Sequence, residues 1–486
     1  MQNNNNSRTE EPRTPIWAAL IPLAVLVAIL VLVIECFGAD AISGGSQIAL
    51  LFASSVAAVL SIGLFGCKWQ RLEEAIAENI RTSASAIIIL LLIGAISGSW
   101  TLSGVVPTFI YYGLQIIHPS IFLGIACVIC AVVSIVTGSS WTTIATIGVA
   151  LMGIGRAEGF SDGWIAGAII SGAYFGDKVS ALSDTTVLAS SSARVPLFEH
   201  IRYMLITTVP SFVIALVVFF AVSISHSNDA TSNIAKMSEA LQSTFNITPW
   251  LLLVPAVTAI FIVRRFPALV TLFVAVVAAC VAMVVSQGDV VSQIGGEGTL
   301  STFKALMITC ASSTAIDTGN ETLNELVATG GMGGMLNTVW LVLCAMCFGG
   351  VMSGSGMLAA VARLFLRFVH RTVGIVASTL CAGLFCNMAT ADQYISIIIT
   401  GNTFRPLYQR SGLEARLLSR SVEDSATVTS VLVPWNSCGM TQSTVLGVAT
   451  LTYLPYCLFN LISPLMSLLI ATIGYKIVKT DVKQEM

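Results

Sequence analysis

Charged residues are scarce in this chain of 486 residues. Asp, Glu, Lys and Arg together make up 10% of it, whereas hydrophobic residues make up 55%. An ordinary soluble domain carries about a quarter charged residues. This composition therefore excludes a soluble globular protein. The mean hydropathy of +0.87 predicts a chain that lies mostly within a bilayer.

Sequence motifs of intramembrane enzymes are also missing. The chain contains no His-Glu-x-x-His, the motif that binds zinc in one class of protease. Intramembrane aspartyl proteases have Gly-x-Gly-Asp, whereas Asp177 follows Tyr174-Phe175-Gly176. We therefore expect no enzyme and no cofactor. The net charge of −2 gives no reason to expect a nucleic-acid partner.

Apolar runs long enough to cross a bilayer recur along the whole chain. Ile16–Ile34 carries no charge, and Ala84–His118 and Ser120–Gly155 are each long enough for two spans. At about 20 residues for each span, the sequence predicts roughly 11–13 membrane-embedded segments. We therefore expect an all-α polytopic protein in the inner (plasma) membrane of the cell.

The distribution of basic residues predicts the topology. Lys and Arg cluster at 68–81, 405–420 and 476–483, and by the positive-inside rule such loops face the cytoplasm. The stretch 225–248 carries one Lys and the stretch 317–334 carries no basic residue, so both are expected outside. Both termini are predicted to be cytoplasmic.

The two halves of the chain share a pattern of polar interruptions. Thr137–Thr143 and then Gly176–Thr186 interrupt apolar stretches in the first half, and Asn387–Gln393 and then Glu423–Asn436 do so in the second. Equivalent interruptions in the two halves are roughly 250 residues apart. A basic loop precedes the first half, whereas an acidic loop precedes the second. We therefore predict two inverted-topology repeats with interrupted or re-entrant helical hairpins, an arrangement that many secondary transporters share.

Glycine and proline locate the expected helix breaks at Gly138, Gly176, Gly401 and Pro434. The chain is then predicted to divide into a disordered cytoplasmic tail (1–15), N-terminal helices with an amphipathic cytoplasmic loop (16–83), a first inverted repeat (84–225), linker helices and external loops (226–335), a second inverted repeat (336–475) and a cytoplasmic tail (476–486).

The segment Gly176–Thr186 contains three charged residues and four hydroxyl groups between apolar stretches. Ionisable groups at bilayer depth usually mark an ion or substrate path. Na⁺ takes oxygen ligands from carboxylates, hydroxyls and the carbonyl groups of interrupted helices. The candidate ion- or substrate-binding residues are Asp177, Ser180, Ser183, Asp184, Thr185, Thr186, Thr137, Asn387, Asp392, Glu423, Asp424, Ser425, Thr427 and Asn436. The predicted Na⁺ ligands among them are Asp184, Thr185 and Asp424.

Structural roles compete with these assignments. Asp177 could lie in a solvated turn at the membrane surface. Asp392 could cap a helix or join two helices by a hydrogen bond. Glu423 and Asp424 could begin a helix at the cytoplasmic face, beside Arg420.

The same residues resemble a known family. Ala166–Lys178, followed by Leu182–Thr186 and Leu197–Arg202, is strongly similar to the NhaC family of Na⁺/H⁺ antiporters. Glu423–Ser430 together with Pro434–Gly439 resembles that family's second signature. The resemblance covers the chain from its first apolar run to its last. It implies an ion transporter with two inverted repeats and re-entrant segments.

The chain departs from the family pattern beside Asp184. Val187 stands where Asn is common, Ser190 stands where Pro is common, and Val179–Ala181 replaces Met-Ser-Pro. Val187 removes a possible amide ligand, so the choice of ion or substrate stays open.

The sequence favours a secondary active transporter that exchanges Na⁺ for H⁺ by alternating access, with carboxylates that bind the two ions in turn. The alternative is a Na⁺-coupled carrier of a small organic acid or amino acid, for example a malate/lactate exchanger. An arginine suited to an organic anion is not evident in the expected cavity. The expected partners are Na⁺, H⁺, a small organic anion or amino acid in the alternative, and the lipid bilayer. A homodimer is left open.

Overall fold

The computed structural model describes residues 14–37, 44–116, 118–226, 231–264, 266–319, 323–324, 327–365 and 371–478. Within these ranges the regular secondary structure is helical, apart from an isolated antiparallel bridge between Thr314 and Thr329. The predicted all-α fold is confirmed.

The described α-helices are numbered in chain order. They are α1 Ile16–Phe37, α2 Gly45–Phe65, α3 Trp69–Leu102, α4 Val105–Ile116, α5 Phe122–Thr137, α6 Ser140–Thr143, α7 Val149–Ala157, α8 Asp162–Val179, α9 Asp184–Ala193, α10 Leu197–Ser225, α11 Thr231–Thr244, α12 Leu253–Val263, α13 Ala268–Ser286, α14 Gly288–Gly295, α15 Ser301–Ala311, α16 Gly331–Gly334, α17 Leu336–Gly354, α18 Met357–Phe365, α19 Thr372–Thr390, α20 Gln393–Arg410, α21 Ala415–Val422, α22 Ser437–Leu446, α23 Thr450–Tyr453 and α24 Leu458–Ile473. Two π-helical turns, Ile144–Gly148 and Glu423–Thr427, continue α6 and α21.

Eight helical segments in the described part are long and apolar enough to cross a bilayer, and two bent pairs raise the number to ten. The eight are Ile16–Phe37, Gly45–Phe65, Ser83–Leu102, Pro119–Thr137, Leu197–Ser225, Leu269–Ser286, Gly331–Gly354 and Thr372–Thr390. The shorter or more polar helices α8, α9, α20 and α21 pack among them. The chain is therefore a multi-pass membrane protein.

The basic segment after α2 differs from the sequence prediction. A loop is expected there, but α3 is one helix of 34 residues. No Gly or Pro interrupts its first half. Glu78 and Arg81 form an exposed ion pair of 2.6 Å along this part of the helix. The hydrogen bond from Arg81 holds the pKa of the Glu78 carboxyl below its usual value. The predicted domain boundary between residues 83 and 84 thus falls inside a helix.

Two of the four predicted helix breaks are correct and two are wrong. Gly138 ends α5 with a left-handed φ of 67°, and Pro434 lies in the break before α22. Gly176 and Gly401 instead lie inside α8 and α20. A Cβ atom at Gly176 would overlap the carbonyl oxygen of Ala131. A Cβ atom at Gly401 would overlap α9 in the same way. These two glycines therefore permit close helix packing rather than a break.

The breaks after α5 and α19 are built in the same way. Gly138 and Ala391 both have a left-handed backbone. Ser139 and Asp392, the next residues, each accept a hydrogen bond from the backbone N–H three residues further on. Gly138 and Ala391 are 253 residues apart, and so are Ser139 and Asp392. This spacing agrees with the predicted offset between the halves. Side-chain capping of this kind begins a helix by satisfying an N–H group that lacks a helical partner.

Further contacts recur at the same offset. The hydroxyls of Thr137 and Thr390 donate to the carbonyl of the capping residue at 3.2 Å and 2.9 Å. Ser183 and Asn436, also 253 residues apart, cap α9 and α22 through their side chains. This recurrence supports the predicted repeat. The opposite orientation of the two halves stays a prediction.

Small residues bring α5 and α8 together. A Cβ atom at Gly172 would overlap the carbonyl oxygen of Cys127, and Gly176 faces α5 one turn later. Small residues four positions apart let helix backbones approach closely in a membrane. The contact holds Asp177, near the end of α8, beside the break that follows α5.

We expect Gly172→Ala to lower the stability of the protein, because the new Cβ must push α5 and α8 apart. Overpacking of this kind costs about 1–3 kcal/mol. Gly63→Ala is the matched control, since no atom lies within 4 Å of its Cβ position. At position 63 alanine is expected to leave the stability unchanged or to raise it, because alanine favours a helix more than glycine does. Thermal unfolding in detergent measures both variants, and equal melting temperatures would contradict the proposed contact.

Candidate ion-binding site

A cavity of about 660 Å³ lies where the breaks of the first half meet the start of α20. Its wall is formed by the break after α5, the break after α8 and the connection between α12 and α13. Four of the predicted binding residues line it, namely Thr137, Asp177, Asp184 and Thr185. This cavity is therefore the centre of the candidate site.

Asp177 lies in the last turn of α8 and is 5% exposed. Its Oδ2 accepts hydrogen bonds from the backbone N–H of Ser140 at 3.2 Å and from the Ser140 hydroxyl at 2.7 Å. Ser140 begins α6, so the carboxylate lies at a helix N-terminus, where unpaired N–H groups favour negative charge. The left-handed Gly138 allows the chain to turn so that α6 begins here. The alternative of a solvated surface turn is wrong for Asp177.

Asp184 is the first residue of α9 and is exposed to the cavity. The preceding Ser183 caps the helix by accepting a hydrogen bond from the Thr186 N–H at 3.4 Å. Among the described residues, none forms a hydrogen bond or ion pair with the Asp184 carboxylate. This carboxylate can therefore bind a cation that enters the cavity. Val187 is 43% exposed and does not line the cavity, so its difference from the family leaves the cavity wall unchanged.

Glu423 and Asp424 lie on the π-helical turn that continues α21, and both are fully buried. The hydroxyl of Thr185 donates to Glu423 Oε1 at 3.4 Å, which joins this turn to the cavity. Ser183 and Thr185 share a hydrogen bond of 2.9 Å. The two halves of the chain therefore meet directly behind the cavity wall. The alternative of a helix start at the membrane surface is wrong for Glu423 and Asp424.

Lys178 forms a fully buried ion pair with Asp424. The hydroxyls of Thr207 and Ser463 donate to Asp424 Oδ1 at 3.2 Å and 3.0 Å. Lys178 also donates to the Ser463 hydroxyl at 3.0 Å. A buried charge without a partner costs several kcal/mol. The pair therefore fixes α8, α10 and α24 around the π-helical turn.

Arg420 lies one turn before Asp424 and is also fully buried. Its Nε is 3.9 Å from Asp424 Oδ2, and its guanidinium lies 4.9 Å from the centroid of the Tyr203 ring. In the described part of the chain, none of its three nitrogens has a hydrogen-bond partner. The sequence predicts that Arg420 lies in a cytoplasmic loop. That is wrong, because Arg420 lies within α21 and faces the protein interior.

Three amide side chains bind carbonyl groups at the end of the π-helical turn and directly after it. Asn387, Gln393 and Asn460 donate to the three consecutive carbonyls of Ala426–Val428, at distances of 2.8 to 3.5 Å. A π-helical turn disturbs the regular helical hydrogen bonds and is common at functional sites. At membrane depth such carbonyls need other donors. Asn387 therefore binds backbone here and does not face the cavity.

Most of the other candidates also bind neighbouring groups of the protein. Asp392 caps α20 through Oδ1, which accepts the Ile395 N–H at 2.9 Å, and Oδ2 accepts the Ser437 hydroxyl at 3.4 Å. This is the capping and interhelical role that the sequence left open. The side chains of Ser180, Thr186, Ser425 and Asn436 bind backbone groups, and the Thr427 hydroxyl is buried without a partner in the described part.

The three predicted Na⁺ ligands lie in two places. Asp184 and Thr185 line the cavity, whereas Asp424 binds Lys178 and is absent from the lining. The described residues contain no group of three or more His, Cys, Asp or Glu side chains that could hold a metal ion. A Na⁺ ion in the cavity would therefore need hydroxyl and carbonyl oxygens in addition to carboxylates.

The sequence alone does not predict several side chains that contact Asp177 or Asp424. Arg420 and Asp424 are four residues apart, a spacing that places side chains on one helix face and could have revealed the contact. Lys178 follows Asp177 directly, but its partner is 246 residues away. Ser140 and Ser463 carry no local signal, since only the fold brings them to Asp177 and Asp424.

The chain is similar to known proteins over most of its length. Residues 172–475 match the model of the Na⁺/H⁺ antiporter family. The Na(+)/H(+) antiporter NhaC of Bacillus subtilis is 36% identical over 422 residues, which cover 86% of this chain and 91% of that protein. The matched segment contains Asp177, Lys178, Asp184 and Asp424.

Two further relatives are named for organic solutes. The Malate-2H(+)/Na(+)-lactate antiporter of Bacillus subtilis is 35% identical over 413 residues, covering 84% of this chain and 85% of that protein. The Arginine/ornithine antiporter ArcD of Halobacterium salinarum is 32% identical over 475 residues, covering 97% and 94%. With the family model matched over more than half of its length, this chain belongs to the Na⁺/H⁺ antiporter family.

Proposed function

We propose that this protein is a secondary active transporter that exchanges Na⁺ for H⁺ at the cavity beside Asp177 and Asp184. One observation carries the proposal. Two carboxylates line one cavity, and its described lining contains no Lys or Arg. Such a site attracts cations. Family membership and the relative named for Na⁺/H⁺ antiport support the same exchange.

The chemistry of exchange follows from the carboxylates. Asp184 has an open carboxylate, Asp177 already accepts two hydrogen bonds from Ser140, and Thr137 and Thr185 add hydroxyl oxygens. Na⁺ binds oxygen ligands of these kinds. A proton on the same carboxylate removes its negative charge and releases the ion. Na⁺ and H⁺ therefore occupy the site in turn, which couples their movements in opposite directions.

The interrupted helices provide a route for alternating access. The breaks after α5 and α8 contact each other, since a Cβ atom at Gly138 would lie 2.6 Å from Leu182 Cβ. We infer that the halves form inverted repeats that move relative to each other around this point, as in other carriers with broken helices. We also propose an inner-membrane location with both termini in the cytoplasm. A homodimer stays a prediction.

The Lys178–Asp424 pair balances charge behind the cavity. Lys178 follows the cavity residue Asp177 on α8, and Asp424 adjoins Glu423, which accepts a hydrogen bond from Thr185. Movement of α8 against the π-helical turn would separate the pair. We propose that the pair holds one resting state of the transporter and that its partial separation accompanies the change in access.

A second candidate is a Na⁺-coupled carrier of a small organic acid or amino acid. One relative is named for exchange of malate and lactate with Na⁺ and H⁺, and another is named for exchange of arginine and ornithine. The three guanidinium nitrogens of Arg420, without hydrogen-bond partners in the described part, favour an organic anion. Arg420 does not line the cavity, however. Na⁺/H⁺ exchange is therefore the better-supported function.

We expect Asp184→Asn and Asp177→Asn to reduce Na⁺-driven H⁺ movement, because each removes a charge that binds both ions. The purified protein is reconstituted in liposomes with an internal pH-sensitive dye. We expect the Na⁺ concentration for half-maximal exchange to rise at least tenfold in Asp184→Asn, which corresponds to about 1.4 kcal/mol. Asp177→Asn is expected to abolish exchange.

Asp289→Asn is the matched control for these variants. Asp289 also lies in the first turn of a helix and is exposed, but it does not line the cavity. It should exchange ions like the unaltered protein. Unchanged exchange in both Asp177→Asn and Asp184→Asn would remove this cavity as the ion site.

We expect Lys178→Met and Asp424→Asn each to destabilise the protein by about 3–5 kcal/mol, because each leaves a buried group without its partner. In the double variant the loss should be smaller than the sum, since no unpaired charge of this pair is left. Thermal unfolding in detergent measures the coupling. Glu78→Gln, which breaks the exposed pair with Arg81, is the control and should leave the melting temperature close to that of the unaltered protein. If the loss of stability in the double variant equals the sum of the two single losses, the direct ion pair is contradicted.

A further inference from the structure

The cavity at Asp177 and Asp184 is larger than a bare ion requires. At about 660 Å³ it lies within the range of small-molecule binding pockets, roughly 300–1,000 Å³. A Na⁺ ion needs only a few oxygen atoms around it. The remaining volume is enough for an organic molecule of several carbon atoms.

The lining of the cavity selects the charge of such a molecule. Asp177 and Asp184 supply two carboxylates, and the described lining residues include no Lys or Arg to balance them. Like charges repel each other, and they do so more strongly within a protein than in bulk water. An organic dicarboxylate is therefore disfavoured, whereas an organic cation is attracted.

Aromatic rings complete the environment that an organic cation requires. Trp141, Phe266 and Tyr394 all line the cavity with the two carboxylates. The faces of aromatic rings attract ammonium groups, most strongly where water is excluded. A Na⁺ site built from oxygen ligands has no need of three aromatic side chains.

Apolar groups occupy another part of the wall. Leu182, Leu188 and Ile262 line the cavity and offer no hydrogen-bonding side-chain atoms. Such a surface fits an aliphatic chain. Thr137, Thr185 and the two carboxylates offer oxygen atoms to an ammonium group. The lining therefore has an acidic part and an apolar, aromatic part.

We propose that this cavity binds a small organic ammonium ion, an aliphatic primary amine or diamine, in the position that Na⁺ takes. The inference rests on the proposed function, because Asp184 binds both cations. The ammonium group pairs with Asp184 and contacts the Tyr394 ring, and the aliphatic chain lies against the apolar wall. Na⁺ and the amine therefore compete for one site.

Calorimetric titration of the full-length protein in detergent tests this proposal. The buffer contains K⁺ and no Na⁺, and the probes are 1,4-diaminobutane and succinate, which have four carbon atoms each and opposite charge. We expect the diamine to bind, Na⁺ to displace it competitively, and succinate not to bind. A binding measurement avoids the leakage of neutral amines through liposomes, which would mimic proton movement.

Two variants at one position separate recognition from misfolding. Tyr394→Ala should weaken diamine binding at least about tenfold, because the aromatic face is lost. Tyr394→Phe keeps the ring and should bind the diamine like the unaltered protein. Asp184→Asn should lose binding of both the diamine and Na⁺.

The possible failures are distinguishable. Absence of diamine binding, binding that Na⁺ does not displace, or equal binding of succinate would overturn this inference and leave the proposed exchange intact. If Na⁺ displaces the diamine but drives no proton movement in liposomes, the proposed Na⁺/H⁺ exchange is wrong and the cation site stands.

Discussion

The buried ion pair between Lys178 and Asp424 is the interaction on which the rest of the site depends. Neither charge has access to water, so neither could remain charged without the other. The pair joins α8 of the first half to the π-helical turn of the second. Thr207 on α10 and Ser463 on α24 add hydrogen bonds to Asp424. Four separate parts of the chain are therefore fixed at one point, next to the wall of the cavity.

The cavity itself depends on broken helices. A helix that ends at membrane depth leaves backbone groups unsatisfied, and in lipid each costs several kcal/mol. The chain satisfies them locally, through Ser139, Ser183, Asp392 and Asn436, each a side-chain cap. Because these caps need no lipid or water, the breaks can lie inside the protein. Oxygen atoms and helix N-termini are thereby presented to the cavity.

Charge is separated between two neighbouring places. The cavity wall holds Asp177 and Asp184 without a described basic residue, whereas the interior behind it holds Lys178 and Arg420 with Asp424. The first place can take up a cation from solution. The second contains a carboxylate that is already paired with Lys178, and it is suited to hold helices together. This division explains why acidic residues of similar appearance in the sequence have different roles.

The sequence by itself determined the helical membrane class, the approximate positions of the polar interruptions and the offset between the halves. It could do so because these depend on hydrophobicity, helix length and capping residues, which are local properties. It also made Asp177 and Asp184 candidates for the binding site, since charges between apolar runs stand out, and both line the cavity. It was wrong about Gly176 and Gly401, because whether a glycine breaks a helix or packs against a neighbour depends on that neighbour. It was also wrong about Arg420, because the burial of that side chain depends on the helices packed around it.

Only the tertiary structure decided which candidates share a cavity. It paired Lys178 with Asp424, placed Asn387 and Asp392 in structural roles, and gathered aromatic rings from separate segments around the two carboxylates. These relations join residues that are far apart in the chain. They follow from helix packing in three dimensions, and a single sequence does not show which helices pack against each other.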